Sequence, residues 1–251
     1  LFLLNNVAKM KKTTELGSRI AEVHNGSSLF TGDAGQGESN ARRYMIENDL
    51  VEAIIALPDN MFYNTGIGTF IWILSNNKAE HRKGKIQLID ATSLKSPLRK
   101  NLGKKNCELT PEIRQQILEL YIAFKENEYS KIFDNSEFGY WKVTVLRPAY
   151  NEDGTIQKDK KGKPVVNKEL TDTEQIPFTY EGGIEAFFEK EVKPFAPDAW
   201  IDEKQTKIGY EISFTKYFYR PIQLRTLEEI TADIRSLEVE TDGLLAEIIG
   251  G

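Results

Sequence analysis

The chain has 251 residues, of which 40% are hydrophobic and 28% charged, with a formal net charge of −5. Those proportions exclude wholesale disorder, and no apolar run approaches the ~20 residues that a bilayer crossing needs. One cysteine, Cys107, and two histidines supply neither an internal disulfide nor a zinc cluster, which suits a reducing cytoplasm. The net acidity argues against a whole-surface nucleic-acid binder but leaves room for a local basic cleft.

Residues 1–12 carry apolar side chains at 1, 4, 7, 8 and 10, an approximate helical stripe. The opening Leu1-Phe2-Leu3-Leu4 lacks an initiator methionine and reads as the interior of a helix, so the chain is expected to be part of a longer one. Residues 19–23 form a strand after Gly17, and residues 25–37 form a loop dense in Gly, Ser and Asn. Ser39 is the expected N-cap of a helix over 41–48. Residues 51–57 make an apolar run suited to a strand buried on both faces. Residues 69–74 and 85–90 make two more strands. Strands and helices alternating at this spacing suggest half of an α/β layered sheet.

Thr110-Pro111 marks a helix start, with Ile113, Ile117, Leu120 and Phe124 on one face. Residues 140–145 alternate like a strand, and Asp153-Gly154 is a hairpin turn in a charged stretch. A domain boundary is expected near 150, giving 1–150, an irregular connector over 151–224 with an aromatic cluster, and a C-terminal helix over 225–251. In that helix Leu227, Ile230, Ile234, Leu237, Thr241, Leu244 and Ile248 follow a 3-4 spacing, a heptad seam interrupted by Thr241 and flanked by acids. Packing on its own domain and docking on a partner both fit that seam; the partner reading gives the affinity to Ile230, Ile234, Leu237 and Leu244.

Gly32, Gly35 and Gly37 match neither the dinucleotide fingerprint nor the P-loop, so composition favours a mobile surface loop there. Arg42-Arg43 on the following helix are candidates for a phosphate contact, or for one exposed arginine and one paired with a local acid. His24 has no nucleophile at a recognisable elbow. The loop over 57–69 sets Phe62 and Tyr63 beside Gly66 and Gly68; it suits stacking on a planar ligand such as a base, or a core-anchoring phenylalanine.

The chain carries the strings Asn25-Gly26-Ser27-Ser28-Leu29-Phe30-Thr31-Gly32-Asp33-Ala34-Gly35, Ala56-Leu57-Pro58-Asp59, Phe62-Tyr63-Asn64-Thr65-Gly66-Ile67, Pro197-Asp198-Ala199-Trp200-Ile201-Asp202 and Lys207-Ile208-Gly209-Tyr210-Glu211-Ile212. Together they resemble the modification subunit of type I restriction–modification systems. The resemblance implies an S-adenosylmethionine-dependent DNA adenine N6-methyltransferase that works in the cytoplasm with DNA, a specificity subunit and a restriction subunit. The family's glycine-rich cofactor turn and its Asn-Pro-Pro-Phe are absent from the chain. The chain therefore reads as the C-terminal part of such a subunit, inactive by itself, or as a non-enzymatic module that binds the specificity subunit. The implied fold is α/β: the distal half of a Rossmann-like methyltransferase sheet, then an α-rich C-terminal region ending in the heptad helix. The resemblance places Phe62, with Tyr63 as substitute, against a flipped adenine, and Asn25 and Gly26 at a ligand-facing strand end. It puts Thr31, Gly32, Asp33 and Gly35, with Arg42 and Arg43, near DNA.

Overall fold

The computed structural model describes residues 1–219 and 225–249, with side chains in the second stretch described through 241 except at 238. Residues 1–217 form one compact unit, and residues 218–251 belong to another. Helix α1 (Phe2–Ala8) precedes β1 (Arg19–Asn25), the one-turn α2 (Ser27–Phe30) and α3 (Gly37–Glu47). Strands β2 (Val51–Ala56), β3 (Thr69–Ser75) and β4 (Lys85–Asp90) follow, then a hairpin of β5 (Ser96–Leu102) and β6 (Lys105–Glu108). Helix α4 (Pro111–Ala123) and strand β7 (Ser130–Asp134) complete this part.

The first sheet has the order β1-β3-β2-β4-β7. Strand β3 runs antiparallel to both β1 and β2, and β2 is parallel to β4. Strands β1, β2 and β4 therefore share one direction, and the loops that leave them emerge at one edge. All six residues of β2 are buried, as the apolar run predicts. The alternation of a strand sends Ile55, Leu57, Ile71, Ile73 and Ile89 to one face, where Ile113, Ile117 and Leu120 of α4 pack on them. Trp72 lies on the opposite face, and its indole donates to Ser28 Oγ at 3.1 Å in α2. Thr110 caps α4, its side chain accepting from the Ile113 amide, with proline at the first position.

The region after residue 138 departs from the α-rich expectation. It is a second sheet in which β8 (Gly139–Leu146) is central, with β9 (Asp172–Pro177) on one side and β10 (Trp200–Ile201) and β11 (Lys207–Tyr210) on the other. Helix α5 (Gly183–Phe187), continued by a π-helical turn over Phe188–Val192, covers it. Val143, Val145 and Ile176 pack there against Ile184, Phe187, Phe188 and Val192. No boundary falls at 150, because β8 pairs with strands from beyond it. Helix α6 (Phe214–Phe218) follows, and α7 (Leu227–Ile249) occupies the second unit.

Helix α7 begins with a capping box. The Thr226 amide donates to Glu229 Oε2 at 2.9 Å, and the Glu229 amide donates to Thr226 Oγ1 at 3.2 Å. Leu227, Ile230, Ile234 and Leu237 are exposed; the side chain of Leu244 lies outside the described residues.

The two sheets meet on the segment from α2 to α3. Arg42, 2% exposed, donates from Nε to the Tyr210 carbonyl at 2.6 Å and from an Nη to the Ser28 carbonyl at 3.1 Å. Ser39 does not cap its helix, which starts two residues earlier; it is fully buried and its Oγ accepts from the Tyr210 amide at 3.0 Å. The Ile212 amide donates to the Leu29 carbonyl at 3.0 Å. Arg42→Met is expected to cost about 2–4 kcal/mol, because a buried carbonyl and a part-buried one lose a charged donor. The neighbouring half-exposed Arg43, paired with Glu47 at 2.9 Å on the same helix, is expected to cost no more than about 0.5 kcal/mol as Arg43→Gln. Urea unfolding of both variants checks this; equal losses would mean that Arg42 does not join the sheets.

Candidate functional site

The shared exit edge of β1, β2 and β4 gathers most of the sequence-derived candidates. Asn25 ends β1 opposite Thr69 of β3, and the Leu57 amide just past β2 donates to the Thr69 carbonyl at 2.8 Å. Asn25 and Leu57 thus stand two strand spacings apart, about 10 Å. Asn25 is exposed, and its Oδ1 accepts from Ser27 Oγ at 2.6 Å. Between them Thr69 is buried, and its hydroxyl makes no hydrogen bond. Paired residues point to the same face, so this hydroxyl lies beside Asn25 with unused bonding capacity.

The loop over 58–68 is held in shape by the β5–β6 hairpin, which the sequence reading did not find. The Asn106 amide donates to the Asn60 carbonyl at 3.0 Å, and the Lys104 amide to the Tyr63 carbonyl at 2.9 Å. Cys107 Sγ donates to the Asp59 carbonyl at 3.3 Å. Asn60 sits at φ +58°, a left-handed conformation that asparagine tolerates. Gly103, at φ +63°, lies so close that a Cβ there would come within 2.7 Å of the Tyr63 oxygen. A Phe62–Thr65 bridge tightens the loop tip. Phe62 is 36% exposed and Tyr63 59%, so neither ring is core. Lys105 Nζ lies 5.5 Å from the Tyr63 ring centre, adding a cation beside the aromatic pair. The edge therefore offers flat apolar faces, an exposed asparagine and a lysine, a set that suits a planar, polar-edged ligand next to an anion.

The loop over 31–37 belongs to the join between the sheets instead. Lys142 of β8 donates to both oxygens of Asp33 at 2.8 Å. The Gly35 amide donates to the Ile208 carbonyl at 3.2 Å, and Ala34 is fully buried. Thr31 and Gly35 are exposed, and Gly32 is half-buried with φ +92° and the Glu38 Cβ at 2.8 Å from a would-be Cβ. A close approach and a positive φ account for Gly32, and a φ of +78° accounts for Gly35, whereas a Cβ at Gly37 would meet nothing within 4 Å. Arg42 is withdrawn from any phosphate by its burial on two carbonyls, and Arg43 holds Glu47.

Residues 4–144 match the family model for N-6 DNA methylase. The chain belongs to the N-6 DNA methylase family. The type I restriction enzyme MjaVIII methylase subunit of Methanocaldococcus jannaschii is 36% identical over 118 residues, 46% of this chain and 19% of that protein. The HindI methylase subunit of Haemophilus influenzae is 44% identical over 57 residues, 23% of this chain and 12% of its own length. A type I restriction-modification methyltransferase subunit from Streptococcus thermophilus superposes with a TM-score of 0.46 at 25% identity, over 54% of this chain and 26% of that one. The matches span about a fifth or less of the curated relatives.

Within the N-6 DNA methylase match lie the whole strand-exit edge and the Asp33–Lys142 pair. Among the described residues no helix is long and apolar enough to cross a membrane. The hydrogen bond from Lys142 holds the Asp33 carboxyl below its ordinary pKa, against the opposing effect of desolvation. A folded value below the unfolded one, about 3.9, stabilises the fold fully above that unfolded value. The contribution disappears as pH falls through the lowered folded value. Asp33→Asn is therefore expected to lower the urea midpoint at neutral pH and to converge on the parent protein in strong acid. A gap that stays constant down to acid pH would show that the pair's ionisation contributes nothing.

Proposed function

We propose that this N-6 DNA methylase chain is part of a DNA adenine N6-methyltransferase subunit of a cytoplasmic type I restriction–modification complex. In this reading it supplies the target-base side of the site. The flipped adenine lies against Phe62, with Tyr63 beside it, and Asn25 and Gly26 line the neighbouring strand end. The observation that carries the reading is the pair of exposed aromatics in the loop held by β6 and its preceding turn at the exit edge of β2, inside the family match. The β1-β3-β2-β4 order supports the distal half of a Rossmann-like sheet, where ligands meet strand exits.

The methyl donor would be S-adenosylmethionine, which supplies the electrophilic methyl group when bound. The glycines of this edge do not make its cradle. A Cβ at Gly26 would meet the Phe70 ring at 3.2 Å, at Gly66 the Asn60 amide at 2.8 Å, and at Gly68 the Asp59 carboxylate at 3.1 Å. The space beside each is filled by the protein's own side chains, so these residues do not fit the cofactor and no step is assigned to it here.

In the assembled subunit Phe62→Ala is expected to slow methylation roughly 10–100-fold. Loss of one base–aromatic stack costs about 1–3 kcal/mol, and about 1.4 kcal/mol is tenfold in rate. The melting temperature should change little, since the ring is one-third exposed. Methylation at the parent rate would end the base-stacking reading, and a large fall in melting temperature would return Phe62 to the core.

The exposed seam of α7 supports the partner reading. Leu227, Ile230, Ile234 and Leu237 lie 80%, 41%, 53% and 60% exposed, and an amphipathic helix gains most of its stability from packing its apolar face. The reading sets this seam, extended by Leu244, on the DNA-specificity subunit, with a restriction subunit joining the full complex. Ile234→Asp is expected to abolish copurification with the specificity subunit while leaving the melting of residues 1–217 unchanged. Retained copurification would move the interface elsewhere.

A further inference from the structure

Past β8 the chain builds a structure that the family match, ending at residue 144, does not reach. The Ala149 amide donates to the Val165 carbonyl at 2.8 Å, the Gln157 amide to the Ala149 carbonyl at 2.8 Å, and the Val165 amide to the Gln157 carbonyl at 2.9 Å. Three antiparallel segments thus close on one another at a three-way junction. A stem leads in, where the Asn167 amide donates to the Arg147 carbonyl at 2.9 Å, and two short hairpin lobes lead out. One lobe turns through Glu152, Asp153 and Gly154. The other turns between Asp159 and Lys163, whose backbones bond at 2.8 Å. It presents Lys158, Lys160, Lys161 and Lys163, all exposed.

Four cations in six residues invert the sign of a chain whose net charge is −5. The one carboxylate among them is already engaged. Asp159 Oδ1 accepts from the amides of Lys161 at 2.8 Å and Lys163 at 2.9 Å, so it folds the turn instead of pairing with an ammonium. None of the four lysines forms an ion pair with a described acid. Like charges fixed this close repel, and a row of anions relieves that repulsion. The lobe is also narrow: two strands about 4.8 Å apart enter a groove about 12 Å wide. Pro148 and Pro164 have no amide hydrogen to donate, which disfavours the addition of a peptide strand at their positions.

We propose that this lysine lobe is a sequence-independent contact to the phosphate backbone of duplex DNA, made through the four ammonium groups. The proposal rests on the reading of the chain as part of a DNA methyltransferase, but it uses residues remote in sequence from the aromatic loop. The lobe contributes affinity and register, and carries no base information.

The test titrates the chain with a labelled duplex of arbitrary sequence over a range of salt concentrations. Each phosphate contact adds about 0.9 to the slope of log K against log salt. Replacing Lys158, Lys160, Lys161 and Lys163 together by Gln is expected to reduce that slope by about three to four, equally on unrelated sequences. Replacing Lys9, Lys12, Lys125 and Lys190 by Gln changes net charge by the same amount and should leave the slope nearly unaltered. An unchanged slope in the lobe variant, or an equal loss in the control, overturns the proposal. So does a parent chain that binds no duplex at low salt. Displacement of the duplex by polyglutamate as readily as by unlabelled duplex would assign the lobe to an acidic protein instead, and also overturns it. Phe62→Ala should keep the parent salt slope, so failure of the base-stacking reading shows in methylation and failure of the lobe shows in the slope.

Discussion

A guanidinium shut away from water must give its N–H groups to oxygens of the protein, because an unpaired buried charge costs several kcal/mol. Arg42 meets that demand with the carbonyls of Ser28 and Tyr210, residues far apart in the sequence, one in α2 beside the first sheet and one at the end of β11 in the second. Burial lowers its pKa, with nearby Tyr140 and Glu211 acting in the opposite direction, yet arginine stays protonated at neutral pH. Fixing Tyr210 beside α3 fixes β11, and β11 fixes β8 through their shared register. Lys142 of β8 then reaches Asp33, and the glycine-rich segment becomes the seat of the second sheet.

The first sheet divides its labour between its two ends. Toward the start of β2, the buried Glu52 carboxylate receives Arg19 at 3.1 Å and Arg82 at 3.6 Å. Arg82 also stacks between the Tyr121 and Phe124 rings, 4.5 and 4.4 Å from their centres. Gln87, fully buried, donates to the Leu120 carbonyl at 2.8 Å and to Ser130 Oγ at 2.9 Å. These saturated polar groups rigidify the strands from below. At the exit edge, by contrast, the Thr69 hydroxyl has bonding capacity to spare, beside the exposed aromatics of the β2–β3 loop.

The strands β2, β3 and β4 are legible in the sequence because burial concentrates apolar residues in them, interrupted by Glu52 in β2 and Gln87 in β4. Helix α4 is legible because Thr110-Pro111 carries its own capping chemistry. The exit-edge loop is also legible, since its aromatics sit between two such strands. Of the second sheet only β8 is legible, by its alternation: β9 reads Asp-Thr-Glu-Gln-Ile-Pro, and only Ile176 of it is buried. Strands β10 and β11 are two and four residues long and lie tens of residues further on, too short to show a period. No local pattern separates Arg42 from Arg43, because the side that each faces depends on where β11 docks. Ser39 misleads for the same reason, its hydroxyl taken by a distant amide. The capping box of Thr226 and Glu229 was readable in the sequence and is the signal that the heptad reading passed over.

The loop carrying Phe62 joins β2 to β3, which are adjacent and antiparallel. Its ends are therefore held one strand spacing apart by the ladder itself, whatever lies between them. Doubling the length of such a connection costs only about 0.6 kcal/mol in closure entropy, a small debit beside the buried strands. Three anchor points limit this freedom, the carbonyls of Asp59, Asn60 and Tyr63 that accept from β6 and its preceding turn. Insertions, deletions and exchanged rings between or beyond those anchors leave the sheet, the α4 packing and the Arg42 clamp untouched. The architecture makes this segment an evolvable cassette, in which the contact surface can be rewritten without renegotiating the fold.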